Sequence, residues 1–240
     1  GIYDYSDRII RTILAIVTSI GTVLLPHLAS SFAKKEFSQI NMYFSKAIEA
    51  VAFLAFPLAF GLATIAPQFV NWFLGSNFTS AGPIVRIMAP LIVIMAYSGL
   101  FGSTLISINE NAGYNFSVIV GCIVNVLMNL FFIPAFGIPG AAFATIISEI
   151  AVLIVQLIWL RKKLLPISSL KMTWKYILVS VIMWICVSCF SRILSGSFLS
   201  IIIEVGFGVV VYLVGGIIVK FSLYNEAIFL FNDWKRVKKK

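Results

Sequence analysis

The residues of this sequence whose types and spacing could do chemistry are charged and amide side chains set inside long apolar stretches, where each would cost a few kcal/mol if it faced lipid. Arg8 and Arg11 are three apart and share a helix face near the start of the first stretch. A guanidinium is permanently charged and forked, so it suits a phosphate or diphosphate that takes two parallel hydrogen bonds. Their competing roles are ion pairs with Asp4 and Asp7, or snorkelling to the interface. Arg86 stands just inside the third stretch, behind Gly82 and Pro83, where snorkelling and ligand binding again compete.

Glu149 lies at the centre of the fifth stretch and cannot reach an interface. It is hydrogen-bonded as the neutral acid to a neighbouring helix, titrates during transport, or pairs with an arginine across a cavity. Asn125 and Asn129, four apart, line one face of the fourth stretch. Such amides bond across to another helix or meet sugar hydroxyls. For Glu49 a local ion pair with Lys46 is expected, and Arg192 reads as an interfacial anchor.

The chemistry the sequence omits narrows the function. It has a single histidine, His27, and no GxxxxGKS phosphate loop, HExxH motif or paired metal-ligand cluster. That points away from an enzyme and from any metal or cofactor. Cys122, Cys186 and Cys189 all fall in apolar runs, where a thiol behaves as a small hydrophobe.

The elements that position these residues follow from composition. Hydrophobic residues make up 60% of the 240 and charged residues 11%, too little polar surface for a soluble fold. Seven apolar segments, at residues 8–28, 47–73, 83–108, 116–133, 140–160, 174–193 and 198–221, have the length of membrane-crossing helices and lack the alternation of a barrel strand. The fold class is therefore an all-α integral membrane bundle of about seven helices over residues 1–223, followed by a basic amphipathic tail at 224–240. Pro57, Pro67 and Pro90 interrupt helical hydrogen bonds inside these segments, while Gly137, Gly140, Ala141, Ala142 and Ala144 favour close helix packing.

The net charge of +9 sits in clusters between apolar runs and forms no continuous stripe, which excludes nucleic acid as the partner. Lys34, Lys35, Lys46, Arg161, Lys162, Lys163, Lys171, Lys175, Lys220 and the basic tail fall on one side, so that side and the C-terminus are expected in the cytoplasm. The loop at 109–115 belongs to that side yet carries Glu110 and no basic residue. Trp72, Trp159, Trp174, Tyr224 and Trp234 near segment ends read as headgroup anchors, and the tail with Trp234 and KRVKKK as bound to anionic membrane lipid. The opening GIYDYSDRII has no initiator methionine or cleavable signal, and is expected to lie within a longer chain.

GIYDYSDRII, IGTVLLPHLAS and above all NVLMNLFFIPAFGIPGAAFATIISEI resemble the C-terminal half of Wzx-type polysaccharide flippases, in the superfamily that holds the MATE exporters and the lipid II flippase. The resemblance implies one lobe of a two-lobed bundle of roughly fourteen helices with a cavity that opens alternately to each side. It implies a bacterial plasma-membrane protein that flips an undecaprenyl-diphosphate-linked oligosaccharide for capsule, O-antigen or exopolysaccharide synthesis. Its partners would be the missing N-terminal lobe, a polysaccharide polymerase and glycosyltransferases. Arg8, Arg11 and Arg86 would then neutralise the diphosphate, Asn125 and Asn129 meet the sugar, and Glu149 serve as a coupling or cavity acid. An ion gradient or consumption of the product would drive the step. The rivals are a MATE-like exporter of organic cations and a non-transporting scaffold or inactive fragment.

Overall fold

Lipid offers no partner to a backbone N–H or C=O, so an apolar run can cross it only with its hydrogen bonds closed internally, as a helix. The computed structural model describes residues 1–162, 167–194 and 197–223, with the side chains of 20–24 and 167–169 outside the description. Among the described residues the chain forms eight α-helices: α1 (Ile2–Ala33), α2 (Phe37–Leu74), α3 (Ala81–Met88), α4 (Leu91–Ser107), α5 (Asn111–Phe136), α6 (Ile138–Lys162), α7 (Thr173–Ser191) and α8 (Phe198–Val219). No strand occurs among them. The tail expected at 224–240 lies outside the described residues.

The seven expected segments map onto these helices with two differences. The third is broken at Ala89 and Pro90, where α3 and α4 meet at a bend of 43°. Pro90 has no N–H to continue the ladder, so the segment turns there. The second begins well before residue 47: at 38 residues α2 is about 57 Å long, and its polar first turns extend beyond the roughly 30 Å hydrocarbon layer. Five described helices are long and apolar enough to span a membrane, or six with the α3–α4 pair counted as one span. The chain is a multi-pass membrane protein.

α2 is the hub, packing against α1, α3, α4, α7 and α8. It runs unbroken through Pro57 and Pro67, each of which leaves the carbonyl four residues earlier without its helical partner. Other helices supply the missing donors. Tyr212 of α8 donates its hydroxyl to Phe53 O at 2.9 Å, and Arg86 of α3 donates Nε to Ala63 O at 2.8 Å. Gly82 lets α3 approach this point, since a Cβ there would lie 2.7 Å from Pro67 Cα.

α5 and α6 pack along their length on a stripe of small residues. A Cβ on Gly113 would fall 2.7 Å from the Trp159 ring, one on Gly121 would collide with Val152, and one on Gly140 with the carbonyl of Phe132. The small-residue start of α6 therefore serves close packing, as its composition implies, with Gly140, Ala142 and Ala144 all buried.

The basic clusters share one end of the bundle. The start of α7 meets the end of α8, where Lys175 Nζ donates to Lys220 O at 3.5 Å. Glu110 in the α4–α5 turn accepts from Trp159 Nε1 at 3.1 Å, which accounts for an acid on this side and gives Trp159 a polar partner. Glu49, expected to pair locally with Lys46, is buried and accepts from Tyr176 at 3.5 Å and from Ser222. His27 stacks on Tyr43, with ring centroids 5.4 Å apart.

Glu204 is fully buried in the first half of α8, and neither carboxyl oxygen has a hydrogen-bond partner among the described residues. An unsatisfied buried polar group lowers stability, so Glu204→Met is expected to raise the midpoint of thermal unfolding, corresponding to about 1–3 kcal/mol. Tyr212→Phe, which removes the hydroxyl's hydrogen bond to the Phe53 carbonyl, is expected to lower it by about 1–3 kcal/mol. Detergent-solubilised unfolding curves of the two variants beside the parent check both signs.

Candidate functional site

Four helices, α1, α4, α5 and α6, enclose a cavity of ≈700 Å³. Its lining is polar: Arg11 and Tyr3 reach it from α1, Ser98 and Ser103 from α4, Asn125 from α5, and Thr145, Ser148, Glu149 and Gln156 from α6. The α6 set recurs at helical spacing, so one face of that helix is polar while Ile150, Ile154 and Ile158 stay exposed on another. Gly102 keeps the wall open to Gln156, because a Cβ there would lie 3.1 Å from Gln156 Nε2.

Hydrogen bonds fix most of the neutral groups. The Tyr3 hydroxyl meets Thr145 Oγ1 at 2.7 Å, joining α1 to α6. Asn125 Nδ2 donates to Ser148 Oγ at 3.2 Å, and Gln156 Nε2 to Ser117 Oγ at 3.3 Å, both joining α5 to α6. Gln156 Oε1 is buried without a partner among the described residues.

The charged groups are looser. Arg11 donates Nε to Asp7 at 2.6 Å, one turn earlier, which leaves four guanidinium N–H groups for other acceptors. Glu149 is half-buried and makes no hydrogen bond among the described residues. Its charge and that of Arg11 act on one another across the cavity. This is an anion-accepting cation facing an acid, in a chamber rich in amides and hydroxyls.

Of the residues singled out in the sequence, the structure brings Arg11, Asn125 and Glu149 together here. Arg8 points elsewhere and pairs with Asp4 at 3.4 Å on an exposed face, so each arginine is drawn to the acid one turn before it and only Arg11 reaches the cavity. Asn129 lies outside the lining and donates to Asn125 O and Oδ1, both at 2.9 Å, which makes it a brace for the Asn125 amide. Arg86 sits in a different cavity, tied to the α2 backbone carbonyl that Pro67 exposes. Its expected place beside Arg11 is corrected on that ground.

Sequence reasoning passed over Gln156, Thr145 and Ser148, though their spacing with Glu149 on one α6 face was a usable signal. It also passed over Glu204, which lines a separate apolar cavity of ≈320 Å³ between α2, α7 and α8.

Comparison with known proteins bears on this arrangement. A solved structure, the lipid II flippase MurJ in an inward closed conformation, superposes with a TM-score of 0.80 at 19% identity, covering 95% of this chain and 47% of that one. The fold is thus shared. The probable low-salt glycan biosynthesis flippase Agl15 of Haloferax volcanii is 24% identical over 148 residues, covering 62% of this chain and 31% of that protein. The lipid II flippase MurJ of Bacillus subtilis is 22% identical over 161 residues, covering 66% of this chain and 30% of that protein. The chain thus spans about a third of the length of these curated relatives. The resemblance read in the sequence holds at the level of flippases. With residues 1–212 of the 240 matching the profile described as Lipid II flippase MurJ, this chain belongs to the MurJ family.

Proposed function

We propose that this chain is one lobe of a flippase that carries a lipid-linked oligosaccharide, joined to its lipid through a diphosphate, across a bacterial plasma membrane. The observation that carries the reading is the polar cavity in which Arg11 faces Glu149 inside an otherwise apolar bundle. Arg11 is tethered at Nε by Asp7, so the free edges of its guanidinium are aimed without further ordering at the oxygens of a phosphate. Glu149 supplies a counter-charge to Arg11 when no anion is bound. Asn125, braced by Asn129 and Ser148, and Gln156 offer amides to sugar hydroxyls. The lipid chain stays in the bilayer, so the protein shields only the polar head.

The finer reading is a Wzx-type role in polysaccharide synthesis. It rests on the sequence resemblance and on the kinship with a glycan biosynthesis flippase. In that reading the protein is a transporter with no bond-making step, its C-terminus lies in the cytoplasm, and the opposing lobe completes the cavity. A polymerase and glycosyltransferases act before and after it.

The test is a fluorescence-quenching flip assay on the full-length protein in proteoliposomes with a lipid-diphosphate-linked sugar. Arg11→Gln removes charged hydrogen bonds and is expected to slow flipping roughly ten- to a hundredfold, with Arg11→Lys retaining part of the rate. Glu149→Gln is expected to lower turnover while substrate binding persists. Flipping at the parental rate in Arg11→Gln, or efflux of a cationic dye that needs Glu149 but not Arg11, would overturn the assignment in favour of a cation exporter.

A further inference from the structure

The cavity that holds Arg86 is separate from the Arg11 chamber and has its own chemistry. It measures ≈480 Å³ and is formed by α2, α3 and the end of α7, with Arg86 and Arg192 both in its wall. No acidic side chain lines it, and neither arginine is in an ion pair among the described residues. Two permanent positive charges are therefore held around one space with nothing negative between them.

One arginine is held in place and the other is free to turn. Arg86 is pinned by Ala63 O at 2.8 Å and Thr64 O at 3.4 Å, which uses two of its five N–H groups and leaves three. Arg192 makes no hydrogen bond among the described residues and keeps all five. Ser191 Oγ accepts from Gln68 Nε2 at 3.1 Å, so its own proton is free to be donated, and Ser188 makes no hydrogen bond among the described residues. Phe60 and Trp184 add aromatic rings to the wall, with centroids 6.3 Å apart. Basic donors above apolar rings match the level where a headgroup meets its acyl chains. The cavity lies at the end of α7 away from Lys171 and Lys175.

We propose that this cavity binds the phosphate of a lipid headgroup, at the end of the bundle opposite the basic clusters. Two lipids present that chemistry, an anionic phospholipid and a polyprenyl phosphate. Either would enter sideways from the bilayer, with its phosphate between Arg86 and Arg192 and its chain past Trp184.

Native mass spectrometry of the full-length protein titrated with phosphatidylglycerol, undecaprenyl phosphate or inorganic phosphate tests this. One of the two lipids is expected to bind, with affinity falling roughly tenfold in Arg192→Gln and unchanged in Arg11→Gln. Whichever lipid shows that pattern identifies the source. Arg192 is exposed, so its variant folds normally; Arg86→Lys, which keeps the charge but loses the fork, is expected to weaken binding less. Equal lipid binding by Arg192→Gln overturns the proposal, as does dependence on Arg11 instead of Arg192, or inorganic phosphate binding as tightly as either lipid. Loss of flipping in Arg11→Gln with this binding intact would leave both sites standing as separate.

Discussion

A carbonyl deprived of its helical partner inside lipid must be satisfied by some other donor, and the packing of this bundle is organised around two such carbonyls. Pro57 and Pro67 strip Phe53 O and Ala63 O of their partners within one continuous helix. Tyr212 and Arg86 answer them from α8 and α3, on different sides of α2. These bonds hold distant parts of the chain to the hub in a fixed register, which apolar contacts alone would not specify, because lipid tails compete equally for apolar surface. Prolines that look like weak points in α2 are where its neighbours are attached.

The same logic separates the polar cavities from the sealed interior. In the Arg11 chamber Tyr3, Asn125, Thr145, Ser148 and Gln156 are each bonded to a neighbouring helix, while the charges are left with spare capacity. Glu204 is the reverse case: an acid on the apolar cavity between α2, α7 and α8 with both oxygens unmatched among the described residues. Burial without a partner costs stability, and such groups mark either a functional constraint or a contact made outside the residues described.

The helices were legible because twenty-residue apolar runs admit one backbone solution, and the chamber was half legible because a charge in such a run stands out. Arg11 and Glu149 were found that way, and Asn125 by its four-residue spacing from Asn129. Arg86 was misplaced because its partner is a backbone carbonyl, exposed by a proline on another helix and invisible to side-chain spacing. Glu204 carried the same local signal as Glu149, an acid amid isoleucines and valines. What distinguishes them is which helix lies opposite, and that is settled only when α8 meets α2. Gln156 was passed over, although its register with Glu149 on α6 was there to be read. The break at Pro90 was anticipated as a disturbance of the helix, whereas its 43° angle depends on how α3 leans against α2.

The glycine seam between α5 and α6 has a mechanical consequence. Trp159 lies over Gly113, Val152 over Gly121, and Gly140 against the Phe132 carbonyl, three fixed points spread along both helices. Sliding one helix by a single residue, about 1.5 Å, would bring side chains to positions where only a hydrogen fits. The pair therefore behaves as a stiff plate. Any widening or narrowing of the chamber would then fall to α1 and α4, the two walls that lie outside this seam.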